Sequence, residues 1–291
     1  MAYQTEAEIR VGTSAITAAE WEGVFYPAGM QPRDFLTYYA THFNTVEVDG
    51  TFYRTPARST IAGSANKTPP GFVFALKVPQ VISHEKCLED CGDDFQNFAD
   101  TAEGLGKDKL GPMLLQFPYL NRTKFKTGAE FLARLRPFLK KLPKDHQFAL
   151  EIRNKNWLDK KCTEILREHN VALAVTDQAW MPGITELTSR LDPITADFTY
   201  IRWLGDRRGI EEQTKVWDEL SWTAAPPFHA GWTTVTKPRA AASKFTPMRT
   251  TTTPALRPRP SRCSGTFGKS RKRNPDAACV CGRNFSKMVK A

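Results

Sequence analysis

Long hydrophobic runs are missing from this sequence. Its longest apolar stretches, such as residues 72–76, fall far short of the roughly 20 residues a membrane-spanning helix needs, which excludes an integral membrane protein. Residues 1–10 carry two glutamates and no apolar core, so no secretory signal is expected there. Cysteine is scarce. Six thiols scattered over 291 residues argue against a disulfide framework and for reduced thiols in a cytoplasm. Among motifs, no P-loop, no HExxH helix and no Ser-His-Asp arrangement occurs, and no Gly-rich phosphate fingerprint follows the first predicted strand. No histidine stands at a predicted strand end; His84 comes nearest, in a loop. His42, His146, His169 and His229 fall on helices, loop edges or the C-terminal region.

What is present is an ordinary globular composition, 41% apolar and 25% charged, in a length that suits one or two domains. The net charge of +10 is unevenly spread. Residues 1–220 hold 27 Lys and Arg against 30 Asp and Glu, whereas residues 221–291 hold 14 basic residues and one acid, Asp276. That second segment also has 8 prolines and 10 threonines, and only 8 of its 71 residues are Leu, Ile, Val or Phe. So little apolar surface cannot offset the entropy of ordering a chain. The division predicts a globular domain over 8–220 and a low-complexity, disordered basic tail over 221–291.

Within the first segment, short apolar runs alternate with helical patterns. Strands are expected at 9–14, 45–49, 72–79, 111–118, 147–153, 171–177 and 198–203, several of them closed by turn residues or proline. Between them, Phe35, Tyr39 and Phe43 recur at helical spacing after Pro32, residues 93–104 read as helix, and Phe131, Leu132, Leu135 and Leu139 mark another, with Pro137 expected to bend it. Leu158, Cys162, Ile165 and Leu166 mark a further helix. Strands alternating with helices mean repeated βαβ units and a parallel sheet. Seven units in about 210 residues suit an α/β fold of the TIM (β/α)8 type that lacks its last unit. A doubly wound sheet is the alternative.

In such barrels the functional face lies at the C-terminal ends of the strands. Here those ends carry Ser14, Glu47, Asp49, Lys77, Gln116, Glu151, Arg153, Asp177 and Arg202. Side chains alternate along a strand, so Glu47 and Asp49 share a side, as do Glu151 and Arg153. One reading is a structural salt-bridge network capping the barrel. The other is a polar pocket. In it Lys77, Gln116, Arg153 and Arg202 bind an anionic or sugar-like ligand, and Glu47, Glu151 or Asp177 acts as base. A hard cation between Glu47, Glu151 and Asp177 is a weaker reading, without a histidine beside them, and no cofactor is called for. His84, Cys87 and Cys91 have loosely zinc-like spacing that an exposed turn explains as well.

Several motifs are similar to those of the domain-of-unknown-function family 72, the YecE-like proteins. They are Val11-Gly-Thr-Ser14, Trp21-x-Gly-Val-Phe-Tyr-Pro27, Phe43-x-Thr-Val-Glu-Val-x-x-Thr-Phe-Tyr53 and Thr68-Pro-Pro-Gly-Phe-x-Phe-Ala-Leu-Lys77. Leu110-Gly-Pro-x-Leu-x-Gln-x-Pro118, Glu151-x-Arg153 with Trp157, and Tyr200-Ile-Arg202 complete the series, in family order over residues 8–203. The resemblance implies a TIM barrel and no particular reaction; kinship to sugar isomerases or nucleases rests on fold alone. There are departures. The family usually continues Gly-Thr-Ser with Gly and an aromatic, where this chain has Ala15 and Ile16, and has His where this chain has Asn154. The family's closing strand, which reads like YVYFNNHYAGH, and its final helix are absent.

The missing strand is legible out of frame. Met248-Arg-Thr-Thr-Thr-Thr253 can be encoded so that a one-base shift reads YAYNNH. Residues 263–269 and 222–237 can likewise hide a final helix and the helix that precedes that strand. One such match is cheap when codons are free to choose; three in the right order are not. A frameshift near residues 220–222 is therefore expected, with the eighth strand and last helices lost. The rival is a genuine extension whose Lys269-Ser-Arg-Lys-Arg273 cluster binds nucleic acid without specificity. Cys263, Cys279 and Cys281 lack the spacing of a zinc module. A soluble cytoplasmic protein is expected, whether enzyme or non-catalytic binder.

Overall fold

The computed structural model describes residues 8–17, 21–205 and 246–251. Eight strands form one sheet: β1 (Arg10–Thr13), β2 (Thr45–Val48), β3 (Val73–Lys77), β4 (Leu110–Gln116), β5 (Phe148–Glu151), β6 (Val171–Gln178), β7 (Phe198–Gly205) and β8 (Thr246–Thr251). Their order is β1-β8-β7-β6-β5-β4-β3-β2 and every pairing is parallel. Helices intervene: α1 (Phe35–Tyr39), α2 (Gly50–Tyr53), α3 (Arg58–Asn66), α4 (Gly92–Ala102), α5 (Gly128–Lys141), α6 (Lys160–Glu168) and α7 (Ile184–Arg190). The result is a curled, barrel-like α/β sheet with helices packed outside it.

Local sequence explains the elements. β4, β5 and β6 are buried on both faces, as parallel strands covered by helices must be, and so read as continuous apolar runs. The Thr127 hydroxyl caps α5 by accepting from the Glu130 backbone N–H, while Glu130 reaches back to the N–H of Lys126. Asp159 caps α6 by accepting from the Cys162 N–H at 2.8 Å. The apolar faces expected of both helices, Phe131, Leu132, Leu135 and Leu139 on α5 and Cys162, Ile165 and Leu166 on α6, are buried. One expectation fails. The helix after Pro32 is a 3-10 turn and a five-residue α1 ending at Tyr39, so Phe43 lies beyond it and stacks on Tyr39 instead.

Two apolar layers result. The larger lies between sheet and helices. The smaller lines the inner face: Ala75, Leu114, Ala149, Ala172, Ala174, Phe198 and Tyr200. Its four alanines make room for the two rings, because a close-packed interior must balance large side chains against small ones.

The ends of the sheet, β1 and β2, meet without a backbone ladder among the described residues. Side chains bridge the seam instead. The Tyr39 hydroxyl accepts from the Thr13 N–H at 2.7 Å and donates to the Thr45 carbonyl at 3.0 Å. Asn44 accepts from the Val11 N–H and donates to the Ile9 carbonyl. The strands approach so closely that a Cβ at Gly12 would stand 1.9 Å from the Thr45 carbonyl oxygen, so only glycine fits.

The eighth strand corrects the expectation that it is lost. Thr246–Thr251 pairs with β7 from Phe198↔Thr246 to Trp203↔Thr251 and with β1 from Arg10↔Met248 to Thr13↔Thr251. A ladder is made of backbone N–H and C=O groups, so an extended segment can fill the gap between two strand edges without an apolar side-chain pattern. Pro247, which has no N–H to donate, precedes the residues registered with β1. The shifted-frame helices, the basic cluster and the three C-terminal cysteines lie outside the described residues.

Candidate functional site

The charged residues predicted at the strand ends form two tiers at the C-terminal end of the sheet. The lower tier is centred on Arg202 of β7, which is 2% exposed between two carboxylates that are fully buried. Its Nη2 and Nε donate to Glu47 Oε1 at 2.7 Å and Oε2 at 3.0 Å, a two-point fork. Its Nη1 donates to Glu151 Oε2 at 2.5 Å. The Tyr200 hydroxyl donates to Glu47 Oε2 at 2.6 Å, and Gln116 Nε2 donates to Glu151 Oε1 at 3.1 Å. Burial opposes the Arg202 charge, yet the flanking carboxylates outweigh it and hold the guanidinium proton well above its ordinary value. Burial likewise opposes the Glu151 charge, and Arg202 and Arg153 reverse the effect, holding that carboxyl below its usual value.

This arrangement bears on two of the sequence expectations. Glu47 and Glu151 direct their oxygens at Arg202, Tyr200, Gln116 and Arg153, so they are occupied as acceptors and poorly placed to take a proton from a ligand. The guanidinium also fills the place a hard cation would take between them. Asp177 joins neither tier. It lies one residue out of phase with Thr176 and Gln178, faces the other side of β6 and is exposed. Ser14 is buried just beyond the end of β1.

The upper tier is partly open. Lys77 Nζ lies 3.5 Å from Asp49 Oδ1, with the two side chains 12% and 34% exposed. Lys77 also sits 4.0 Å above the Phe52 ring, whose edge meets His84 at 4.8 Å. Arg153 is 30% exposed; its Nε donates to Glu151 Oε1 at 2.9 Å, and its two Nη groups have no partner among the described residues. Burial raises the Asp49 carboxyl, and the nearby Glu47 charge adds to this against Lys77 and Arg202. Burial lowers the Lys77 ammonium, opposed first by Asp49. The two shifts bring the proton affinities of the pair closer together. His84 is drawn down to about 4 by burial, then by Lys77 and Arg153, so its imidazole is neutral near pH 7.

Asp49 was visible at its strand end, but only the fold separates it from the saturated Glu47. Tyr200 could have been paired with Arg202 by its i, i+2 spacing. The His84, Cys87 and Cys91 spacing does not gather ligands: Cys87 Sγ donates to the His84 carbonyl, the His84 ring faces Ser83, and burial raises both thiols. A separate cavity of about 420 Å³ lies between the loops after β3 and β4. Its Lys86 and Arg134 are already paired with Asp94 and Glu89.

Comparison with known proteins gives consistent matches. The family described as "Protein of unknown function DUF72" matches residues 10–243. The UPF0759 protein YecE of Escherichia coli (strain K12) is 30% identical over 125 residues, 43% of each chain, and the protein of that name from strain O157:H7 matches equally. The matched region thus spans less than half the length of those curated relatives. A DUF72 family protein from Thermotoga maritima MSB8 superposes with a TM-score of 0.65 at 24% identity, covering 98% of this chain and 100% of that one. Another, from Enterococcus faecalis V583, gives 0.58 at 18% identity over 98% and 99%. These likenesses support the curled α/β fold.

Proposed function

Because this chain belongs to the DUF72 family of proteins of unknown function, we propose its role from its site: the mouth of a (β/α)8 TIM-type barrel binds a small anionic ligand between Lys77 and Arg153. The observation that carries this reading is the contrast between tiers. Arg202 is consumed by two carboxylates, whereas the two Nη groups of the part-exposed Arg153 have no partner among the described residues, and Arg153 and Lys77 both lie close enough to His84 to act on its charge. Planar guanidinium donors beside an ammonium suit phosphate, sulfate or carboxylate. Asp49, rather than Glu47, Glu151 or Asp177, is the group able to exchange a proton with such a ligand, as an isomerase or hydrolase requires. Gln116 and Arg202 then form the floor that orients the upper tier.

A sugar-like ligand without charge is the second reading, favoured by the part-exposed Asp49 side chain, whose buried Oδ1 has no hydrogen-bond partner among the described residues. A binding protein without chemistry would use the same residues. The basic segment 221–291 as a non-specific nucleic-acid contact is a separate possibility, independent of the mouth. No helix among the described residues is long and apolar enough to cross a membrane. The free thiols Cys87, Cys91 and Cys162 support a reducing, cytoplasmic setting.

Calorimetric titration of the full chain with inorganic phosphate tests the proposal. Charge-assisted hydrogen bonds contribute about 1.5–3 kcal/mol each, so Arg153→Ala and Lys77→Ala should each weaken binding by roughly ten-fold or more. Binding unchanged in both variants, or no phosphate binding by the parent, overturns it.

A further inference from the structure

The mouth is ringed by exposed aromatic side chains. Among the described residues three large hydrophobic side chains are exposed, Tyr53 at 73%, Tyr119 at 70% and Trp180 at 59%, and all three follow the C-terminal ends of strands. Tyr53 ends α2 after β2, Tyr119 lies in the loop after β4, and Trp180 comes two residues after β6. Alternate strands of one parallel sheet therefore present a ring each at the same end of the molecule.

Two of the rings connect to the charged tier. Tyr53 packs edge-on to Phe52, the ring beneath Lys77. The loop bearing Tyr119 is clamped by Asn154, which follows Arg153: its Oδ1 accepts from the Leu120 N–H and its Nδ2 donates to the Leu120 carbonyl, both at 2.9 Å. Gln178, just before Trp180, is itself more than nine-tenths buried and keeps an unpartnered Oε1. Around Tyr119 the surface is basic. Arg122, Lys124 and Lys126 of the β4 loop and Arg153 and Lys155 of the β5 loop supply five cations on either side of the Asn154 clamp; of the nearby acids, Glu130 accepts from the Lys126 N–H, Glu151 holds Arg153 Nε, and Glu85, Glu89 and Asp90 line the cavity that Lys124 shares.

We propose that this end of the barrel binds single-stranded nucleic acid, with bases stacked on Tyr53, Tyr119 and Trp180 and phosphates on Lys77, Arg153 and the β4–β5 loops. For the placement of the phosphates it rests on the anion-site reading above. Exposed aromatic platforms beside cations are what a flexible chain of phosphates and planar bases requires. The three rings follow alternate strands, whose axes lie roughly 10 Å apart, so a ligand that stacks on more than one of them carries several bases. Neutral oligosaccharides also stack on aromatics, but they have no use for the cations of the β4 and β5 loops.

The test is ultraviolet cross-linking of the full chain to a twelve-residue oligothymidylate, mapped by peptide mass spectrometry, with binding followed by fluorescence anisotropy. Cross-links at Tyr53, Tyr119 or Trp180 are expected. Tyr119→Ala and Trp180→Ala should each weaken oligothymidylate binding by about ten-fold while leaving inorganic polyphosphate binding unchanged. Cross-links confined to residues 221–291, aromatic variants that bind like the parent, or cellohexaose displacing the oligonucleotide overturn the inference. A retained phosphate site with silent aromatic variants sinks this inference alone. Cross-links at the aromatics support it even where inorganic phosphate fails to bind, a result that sinks the anion-site reading instead.

Discussion

Arg202 carries a guanidinium into the interior of a curled sheet, where an unpaired charge is costly enough to prevent folding. Glu47 and Glu151 neutralise it from opposite sides, and Tyr200 and Gln116 satisfy carboxylate oxygens the fork leaves over. Such a cluster is cheap to keep whole and expensive to break. Arg202→Met leaves two buried carboxylates facing each other and should destabilise the chain by about 3–5 kcal/mol. The triple variant with Glu47→Leu and Glu151→Leu should regain much of that loss. Urea denaturation midpoints decide, and a loss below about 1 kcal/mol for Arg202→Met would mean the cluster is not a structural unit. Glu47, Glu151 and Arg202 were legible in the sequence as charges at strand ends. Which faces they occupy was not. In a parallel sheet both faces of a strand are apolar, so alternation along Val171–Gln178 does not say whether Thr176 or Asp177 points inward. The register sets Thr176 beside Arg202 and Asp177 beside Trp203, so the two fall on opposite sides of the strand.

At the scale of elements, the seam between β1 and β2 replaces a backbone ladder with two side chains. Tyr39 and Asn44 come from the first βα unit, so the chain closes its own sheet soon after leaving β1. The helical spacing of Phe35, Tyr39 and Phe43 suggested an apolar face, yet Tyr39 is buried for its hydroxyl as well as for its ring. Periodicity cannot tell these roles apart, because both bury the ring. Tyr39→Phe keeps the ring and strands the Thr13 N–H and the Thr45 carbonyl. Unsatisfied buried groups of this kind cost about 1–3 kcal/mol. A stability within about 0.3 kcal/mol of the parent would show that the hydroxyl does not hold the seam.

At the scale of the whole molecule, the family match to 10–243 runs past residues 220–222, where the composition breaks. The eighth strand is built of Thr-Pro-Met-Arg-Thr-Thr, which no periodicity marks as a strand. The shifted-frame proposal has a direct check in the encoding nucleotide sequence. Read one base out of register downstream of Leu220, it should yield an aromatic–Asn-Asn-His strand followed by an apolar helix. Three frames that give only tail-like or stop-interrupted sequence would end that proposal.

The central claim, that a fixed Arg202 floor supports an open anion site, is tested most directly by locating an oxyanion at the mouth. Selenate is tetrahedral like phosphate and scatters anomalously, so crystals of the full chain soaked in it report its position without bias. The account predicts an anomalous peak between Lys77 Nζ and the Arg153 guanidinium, with Arg202 still bridging Glu47 and Glu151 beneath it. A peak on Arg202 itself with either carboxylate displaced, or selenate found only away from Lys77 and Arg153, would contradict it.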